Sequence, residues 1–300
     1  MDVFVSHSTA LECLRNLAKT GSLPPVANSR ELPTKAALSP GATAAIAALA
    51  PGSRQVDILV ASPRGRRRGG QFRCHVWSGS LPKRSFLALS PSMFLASPEF
   101  LFLQMAQALS VPQLIQLGFE LCGGYVIDPH ASRGLSRTPR PLTTPLALGA
   151  FLQEAKGQPG YAKARKALRW VLPNSWSPTE TDLAILLTLP TKSGGYQMPQ
   201  PLMNREIPNP GGHPSHAQAS EKYYLDLSWK RPPGGHIVAM EFHGDADHLG
   251  KRAAGKDRGR EIALSQMGIG FLAITHYQML NLAEFDAAVR ALCKLMGHPY

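Results

Sequence analysis

No stretch of this 300-residue chain reaches the roughly 18 consecutive apolar residues that a bilayer-spanning helix needs, so the pattern offers no helical membrane segment. The acidic Met1-Asp2 opening is not that of a secretory signal peptide. Cysteine is scarce. Cys13, Cys74, Cys122 and Cys293 lie far apart with no CxxC pair, which argues against a zinc site and fits reduced thiols in a cytoplasm. Acidic side chains are also few, 20 against 32 Lys and Arg, which leaves a formal charge of +12. Such an excess asks for a polyanionic partner. Nucleic acid is the commonest, because each neutralised phosphate releases condensed counterions; a membrane surface or simple solubility are the alternatives. No internal repeat is visible. What the chain does have is 44% hydrophobic and 17% charged residues, enough to bury a sizeable core, at a length comfortable for two domains.

The N-terminal part reads as mixed α/β. Ser8 or Thr9 caps a helix through Leu17, with Leu11, Leu14 and Leu17 on one face. Val56–Val60 has the apolar character of a buried strand, and Gln71–Trp77 follows as another. Between them, Arg64, Arg66, Arg67 and Arg68 with their glycines form a solvated connection. The run is either a phosphate contact or a plain surface loop; positioning phosphates needs no base specificity. Phe94–Ala96 leads into a helix capped by Ser97 with Pro98 in its first turn. A second helix opens at Ser110-Val111-Pro112 and closes at Gly123-Gly124. Residues 128–145, with several Pro, Arg and Thr, read as a linker, and a basic helix runs from Tyr161 to Val171.

From Ser177 the expected order is helix, strand, strand, helix, strand. The first helix starts at Ser177-Pro178-Thr179-Glu180, and residues 190–220 form a long loop with one short strand. Strands follow at Tyr223–Trp229 and Ile237–Phe242, a helix at Lys256–Met267, a strand at Phe271–Thr275 and an amphipathic helix at Leu282–Leu295. The strand pair places Asp226 and Glu241 where two carboxylates can hold a hard divalent cation, Mg²⁺ or Mn²⁺, with a bound water as nucleophile toward phosphorus. His243, two residues beyond Glu241, shares its face and can accept the water's proton or hold a phosphate as imidazolium. His248 lies just beyond, and Glu180 is a further acid. Each strand acid also has a bland reading as a solvated edge residue. Glu241 ends an apolar run, however, where a carboxylate needs a partner or a metal.

These residues carry a resemblance. Ser177-Pro178-Thr179-Glu180 with Leu183 and Leu186-Leu187 resembles the opening helix of very short patch repair endonucleases and of DUF559 nuclease-like domains. Tyr224-Leu225-Asp226-Leu227 resembles their aspartate strand, and Val238–Gly244 the next strand. His243-Gly244 with His248 five residues on matches a repair-endonuclease pattern. Lys256–Gly268 and Phe271–Thr275 resemble the terminal helix and strand. The likeness covers roughly residues 161–280. It implies a PD-(D/E)XK, restriction-endonuclease-like C-terminal domain (a mixed sheet flanked by helices) after a smaller α/β N-terminal domain. It also implies Asp226 and Glu241 as metal ligands, His243 and His248 in phosphate chemistry, Glu180 in support, and DNA as substrate. The DUF559 aspartate is His243 here, no lysine fills the third slot of the signature, and the zinc cysteines of the repair enzymes have no counterparts. Mismatch specificity is therefore not implied. Phe94–Gly118 is similar to AbiEi-like antitoxin regions that precede DUF559 domains, which implies a toxin–antitoxin or defence-system partner.

The expected division is residues 1–127, a linker at 128–145, and residues 146–300. The expected activity is metal-dependent endonuclease action on DNA in the cytoplasm. The alternative is a catalytically degenerate nuclease fold acting as a DNA-binding or toxin–antitoxin-type regulator. Lys256 and Arg258 on the penultimate helix are candidate DNA contacts, although Asp257-Arg258 also reads as a helix-stabilising pair. His213 and His216 form an HxxH that would need two further ligands to bind metal. Trp77, Trp170, Trp176 and Trp229 read as core or interface residues before base-stacking ones.

Overall fold

The computed structural model describes residues 2–28, 31–65, 70–209, 222–231, 235–243 and 260–298. The chain divides into two compact α/β units, Met1–Asn174 and Ser175–Tyr300. The N-terminal unit is thus the larger. The stretch expected as a linker, 128–145, lies inside it: Leu135–Arg137 pairs with Tyr125–Ile127, and Asp128 and Thr143 are buried. Pro- and Arg-rich composition here marks a folded turn region, held in part by Asp128 accepting from Ser136 Oγ at 2.6 Å. The basic helix at Tyr161–Leu168 also belongs to this first unit. Among the described residues no helix is long and apolar enough to cross a membrane.

The first unit is built on a five-stranded mixed sheet. Its strands are β1 (Val3–Val5), β2 (Val56–Val60), β3 (Phe72–Val76), β4 (Phe86–Ser90) and β5 (Met93–Ala96), in the order β3-β2-β1-β5-β4. β1 pairs parallel with β5 and antiparallel with β2. Phe4 and Phe94 stack at 4.9 Å between ring centres, and Phe86 and Phe100 pack edge-on beside them. Helix α1 runs from His7 to Thr20, one turn wider at its start than the Ser8/Thr9 cap predicts. The reason is tertiary. Buried Asp57 on β2 accepts from Thr9 N at 3.3 Å, so a carboxylate from a neighbouring strand serves the helix start. A helix α2 (Pro40–Leu49) follows. Helices α3 (Pro98–Met105) and α4 (Val111–Leu121) begin where Ser97 and Ser110 predict, and Ser110 forms a full capping box with Gln113. A two-stranded hairpin of β6 (Tyr125–Ile127) and β7 (Leu135–Arg137) and helices α5 (Pro145–Glu154) and α6 (Tyr161–Leu168) complete the unit.

The second unit opens with α7 (Pro178–Thr188), capped by Ser177, whose Oγ accepts from Glu180 N at 3.2 Å. Three antiparallel strands follow: β8 (Leu202–Pro208), β9 (Lys222–Arg231) and β10 (His236–His243). A helical segment α8 (residues 260–266) leads to β11 (Gly270–Thr275), which pairs parallel with β10. The sheet order is β11-β10-β9-β8. The one short strand expected in 190–220 is β8, which pairs with β9 from Leu202 to Pro208 and so belongs to the sheet itself. A short α9 (His276–Leu280) and α10 (Leu282–Met296) close the chain; Asn281 caps α10 through Ala283 N and Glu284 N. Ile207, Leu225, Ala239, Leu264 and Ile269 form one core cluster linking the sheet to α8.

Candidate functional site

Glu180, on the first turn of α7, is buried at 7% exposure and receives three hydrogen bonds. Trp176 N donates to Oε2 at 2.8 Å, Asn204 Nδ2 to the same oxygen at 2.6 Å, and Ser177 Oγ to Oε1 at 3.0 Å. Burial pushes its carboxyl upward, and the nearby charge of Asp226 adds to that, against the pull of these donors. Asn204 is the link. It stands on β8 between Met203 and Arg205, whose partners Leu227 and Leu225 flank Asp226 on β9. Its φ of +45° is unusual for a strand residue, although Asn tolerates that region better than most. The paired register skips Asn204 and Asp226; the Asn204 side chain turns to Glu180 and that of Asp226 to Phe242 N on β10.

Asp226 Oδ2 accepts from Phe242 N on β10 at 2.9 Å, which ties the aspartate to the strand that carries the next acid. Glu241 is 3% exposed, and Arg260 Nη2 on α8 donates to its Oε1 at 2.6 Å. The same guanidinium reaches the Tyr224 carbonyl and lies 5.4 Å from the centre of the Tyr223 ring. Arg260 Nε is buried with no acceptor among the described residues. His243 Nε2 lies 4.0 Å from Glu241 Oε2. An acid from a helix start, one from each of two paired strands, a histidine and an arginine thus gather along β8–β10. Among the described residues, no group of three or more His, Cys, Asp and Glu forms a cluster able to hold a metal by protein ligands alone.

Glu180, Asp226, Glu241 and His243 are the expected residues brought together here. Arg64 is exposed in the short turn Pro63–Gly65 of the first unit. Arg66, Arg67, Arg68, His248, Lys256, Arg258, Asp257, His213 and His216 lie outside the described residues. Two participants escaped the sequence reading. Asn204 sits in a Pro- and Gly-rich stretch without strand periodicity. Arg260 stands at the end of the basic run that includes Lys256 and Arg258 in the sequence, and only its contact with Glu241 on β10 distinguishes it.

The first unit holds a second polar group that no motif announced. Asp57, 2% exposed, lies 2.8 Å from His75 Nε2, accepts from Ser8 Oγ, and has Arg73 Nη1 at 3.9 Å. Burial alone would raise its carboxyl, but the bonds from His75 and Ser8 outweigh that and hold it at about 2. The His7 ring stacks on His75 with centres 3.6 Å apart. Burial first, then the neighbouring His75, lowers His7 to about 3.

Comparison with protein-family models, with curated proteins and with solved structures finds no match for the chain.

Proposed function

We propose that the C-terminal unit is a PD-(D/E)XK-type nuclease domain, akin to the DUF559 and very short patch repair group, that hydrolyses DNA phosphodiesters with Mg²⁺ or Mn²⁺. The observation that carries this reading is the gathering of Glu180, Asp226, Glu241 and His243 along one sheet whose element order is helix, three antiparallel strands, helix, parallel strand. His243 occupies the place, two residues after the strand glutamate, that the signature gives to lysine. Mg²⁺ commonly takes only one or two protein carboxylates and keeps several waters, a demand that Asp226 and Glu241 meet without a full protein cage. Burial first, and then the nearby Asp226 carboxylate, push the Glu180 carboxyl upward, and a divalent cation held by Asp226 would offset the second of these. When bound, the ion supplies charge neutralisation and an acidified water.

The chain's own residues divide the remaining work. Asp226 and Glu241 would hold the ion, with Asp226 fixed by Phe242 N. His243 would accept the proton of the attacking water or, as imidazolium, give one to the leaving oxygen. Arg260, on the helix beside β10, would add positive charge near the phosphate. The positive charge of +12 suits a DNA partner.

One observation favours a second reading. Arg260 already neutralises Glu241 at 2.6 Å, as a fixed counter-ion would in a nuclease fold that binds DNA without cutting it, for instance as a toxin–antitoxin-type regulator with the AbiEi-like region before it. Incubation with supercoiled plasmid, Mg²⁺ or Mn²⁺ and an EDTA control separates the two. The nuclease reading expects metal-dependent cleavage. That cleavage should fall by orders of magnitude in Asp226→Asn, which keeps the acceptor for Phe242 N, and by about 10²–10⁴-fold in His243→Ala. Mn²⁺ binding to wild type and Asp226→Asn with equal affinity would sink the ligand assignment.

A further inference from the structure

A cleft of about 620 Å³ opens in the second unit between the ends of β8, β9 and α10. Its rim carries Arg205, Lys230, Arg231 and His298, and among the described residues no Asp or Glu lines it. Its floor is apolar, with Trp229 buried and Leu202 half exposed. Lys230 and Arg231 follow Asp226 by four and five residues on β9, about 13–16 Å at ~3.3 Å per residue, whereas Ser228 and Arg205, which also line the cleft, stand nearer to that aspartate.

The walls are fixed. Trp229 Nε1 donates to the Pro199 carbonyl at 2.7 Å, which locks the indole. Arg205 Nε donates to Ser228 Oγ at 2.8 Å, and that hydroxyl donates to the Leu202 carbonyl at 3.1 Å, so the guanidinium is aimed by a two-step chain. Arg231 lies against Gly297, the left-handed residue that ends α10 at φ +65°; a Cβ there would come within 3.3 Å of its Nε. The negative carboxyl end of α10 accounts for one cation near it. It does not account for three side chains that are always or nearly always charged, converging with a histidine around an apolar floor. Lys230 and Arg231 are exposed and Arg205 is half-buried, and an anion between them lowers their mutual repulsion. Arginine forks fit phosphate oxygens in particular. An apolar floor beside them suits a flat heterocycle.

We infer that this cleft binds a nucleoside phosphate, with the base against the accessible apolar lining of Pro199, Leu202 and Met296 and the phosphate between Arg205, Lys230 and Arg231. The same chemistry is offered by a free nucleotide and by the 5′-phosphorylated end of a DNA strand. The inference does not rest on the nuclease reading.

Calorimetric titration of the full chain at low salt, with 5′-AMP, inorganic phosphate, adenosine and a 5′-phosphorylated oligonucleotide, tests it. 5′-AMP should bind at least tenfold more tightly than phosphate or adenosine alone. Lys230→Ala combined with Arg231→Ala, both exposed and therefore harmless to the fold, should weaken 5′-AMP at least tenfold while the melting temperature holds. Asp226→Asn should bind 5′-AMP as the wild type does, whatever it does to cleavage. An oligonucleotide that binds more tightly than 5′-AMP, and loses that advantage in the double variant, assigns the cleft to a DNA end; equal affinities assign it to a free nucleotide. No binding of 5′-AMP at millimolar concentration, or equal binding by wild type and double variant, overturns the inference. So does phosphate that binds as tightly as 5′-AMP, because the apolar floor would then contribute nothing.

Discussion

Single side chains in the first unit set an acid sensitivity whose sign follows from burial. His7 and Asp57 both bind protons less readily in the folded chain than outside it. The unfolded chain therefore takes up protons first as pH falls, and stability falls with pH. The contribution of His7 is complete above its ordinary value of 6.5 and erodes as pH drops toward about 3. That of Asp57 is complete above 3.8 and is lost near about 2. The first loss should therefore appear between pH 6.5 and 4 and belong to His7. We expect His7→Asn, a residue that tolerates the φ of +48° at this position, to flatten the fall in melting temperature across that window. Equal slopes in wild type and variant would show that protonation of the stacked pair is not what destabilises the unit. Nothing in the local sequence foretold this cluster. Ser8, Asp57 and His75 are far apart in the chain, and only the β1-β2-β3 neighbourhood joins them.

At the scale of elements, the sequence was legible wherever a local signal had a local cause. Ser97-Pro98, Ser110-Val111-Pro112 and Ser177-Pro178 each start a helix where the capping chemistry says, because a hydroxyl and a proline act within one turn. β9, β10 and β11 appear close to their predicted bounds, because apolar runs and turn residues delimit them. β1 and α2 were missed, the one a three-residue strand too short for periodicity and the other an Ala-rich stretch in a Pro- and Gly-broken region. β8 was read as minor, because its partner is supplied from across the sheet. The candidate site splits the same way. Its acids on predicted elements were named in advance, whereas Asn204 and Arg260 gain their roles only when β8 and α8 pack beside β9 and β10. That packing has a measurable consequence. Glu241 is buried, so Arg260→Met, which keeps length and removes charge, takes away the guanidinium that neutralises it, at a cost of up to about 3–5 kcal/mol. If Glu241 is a metal ligand, Mn²⁺ should restore a large part of the lost stability in that variant. Chemical denaturation with and without Mn²⁺ measures this, and a variant that Mn²⁺ leaves unrescued would favour the non-cutting regulator.

For the whole molecule, the distribution of charge matters more than its total. The two units carry separate cores, and the boundary near Ser175 was not legible because its flanks, Leu172-Pro173-Asn174 and Trp176, lack the Pro- and Arg-rich composition that drew attention to 128–145. A linker is recognised by composition only when it is long and solvated. Here each stretch packs against the unit it belongs to, as buried Thr143 and Ser175 illustrate. The excess of 32 basic over 20 acidic residues therefore has to be assigned unit by unit. Arg64, exposed in its short turn, belongs to the first unit, and Arg66, Arg67 and Arg68 follow it in the chain, whereas the acids along β8–β10 belong to the second unit. If the first unit grips the DNA backbone, replacing all four with Ala removes up to four phosphate contacts. The slope of log affinity against log salt should then become shallower by as much as about 3–4, because each contact contributes about 0.9. The loss should be nearly the same for unrelated DNA sequences, since phosphate contacts carry no base information. Cleavage measured at saturating DNA should stay at the wild-type rate, because the proposed chemistry is carried by residues of the second unit alone. An unchanged salt slope would remove this turn from the interface and leave DNA recognition to the second unit.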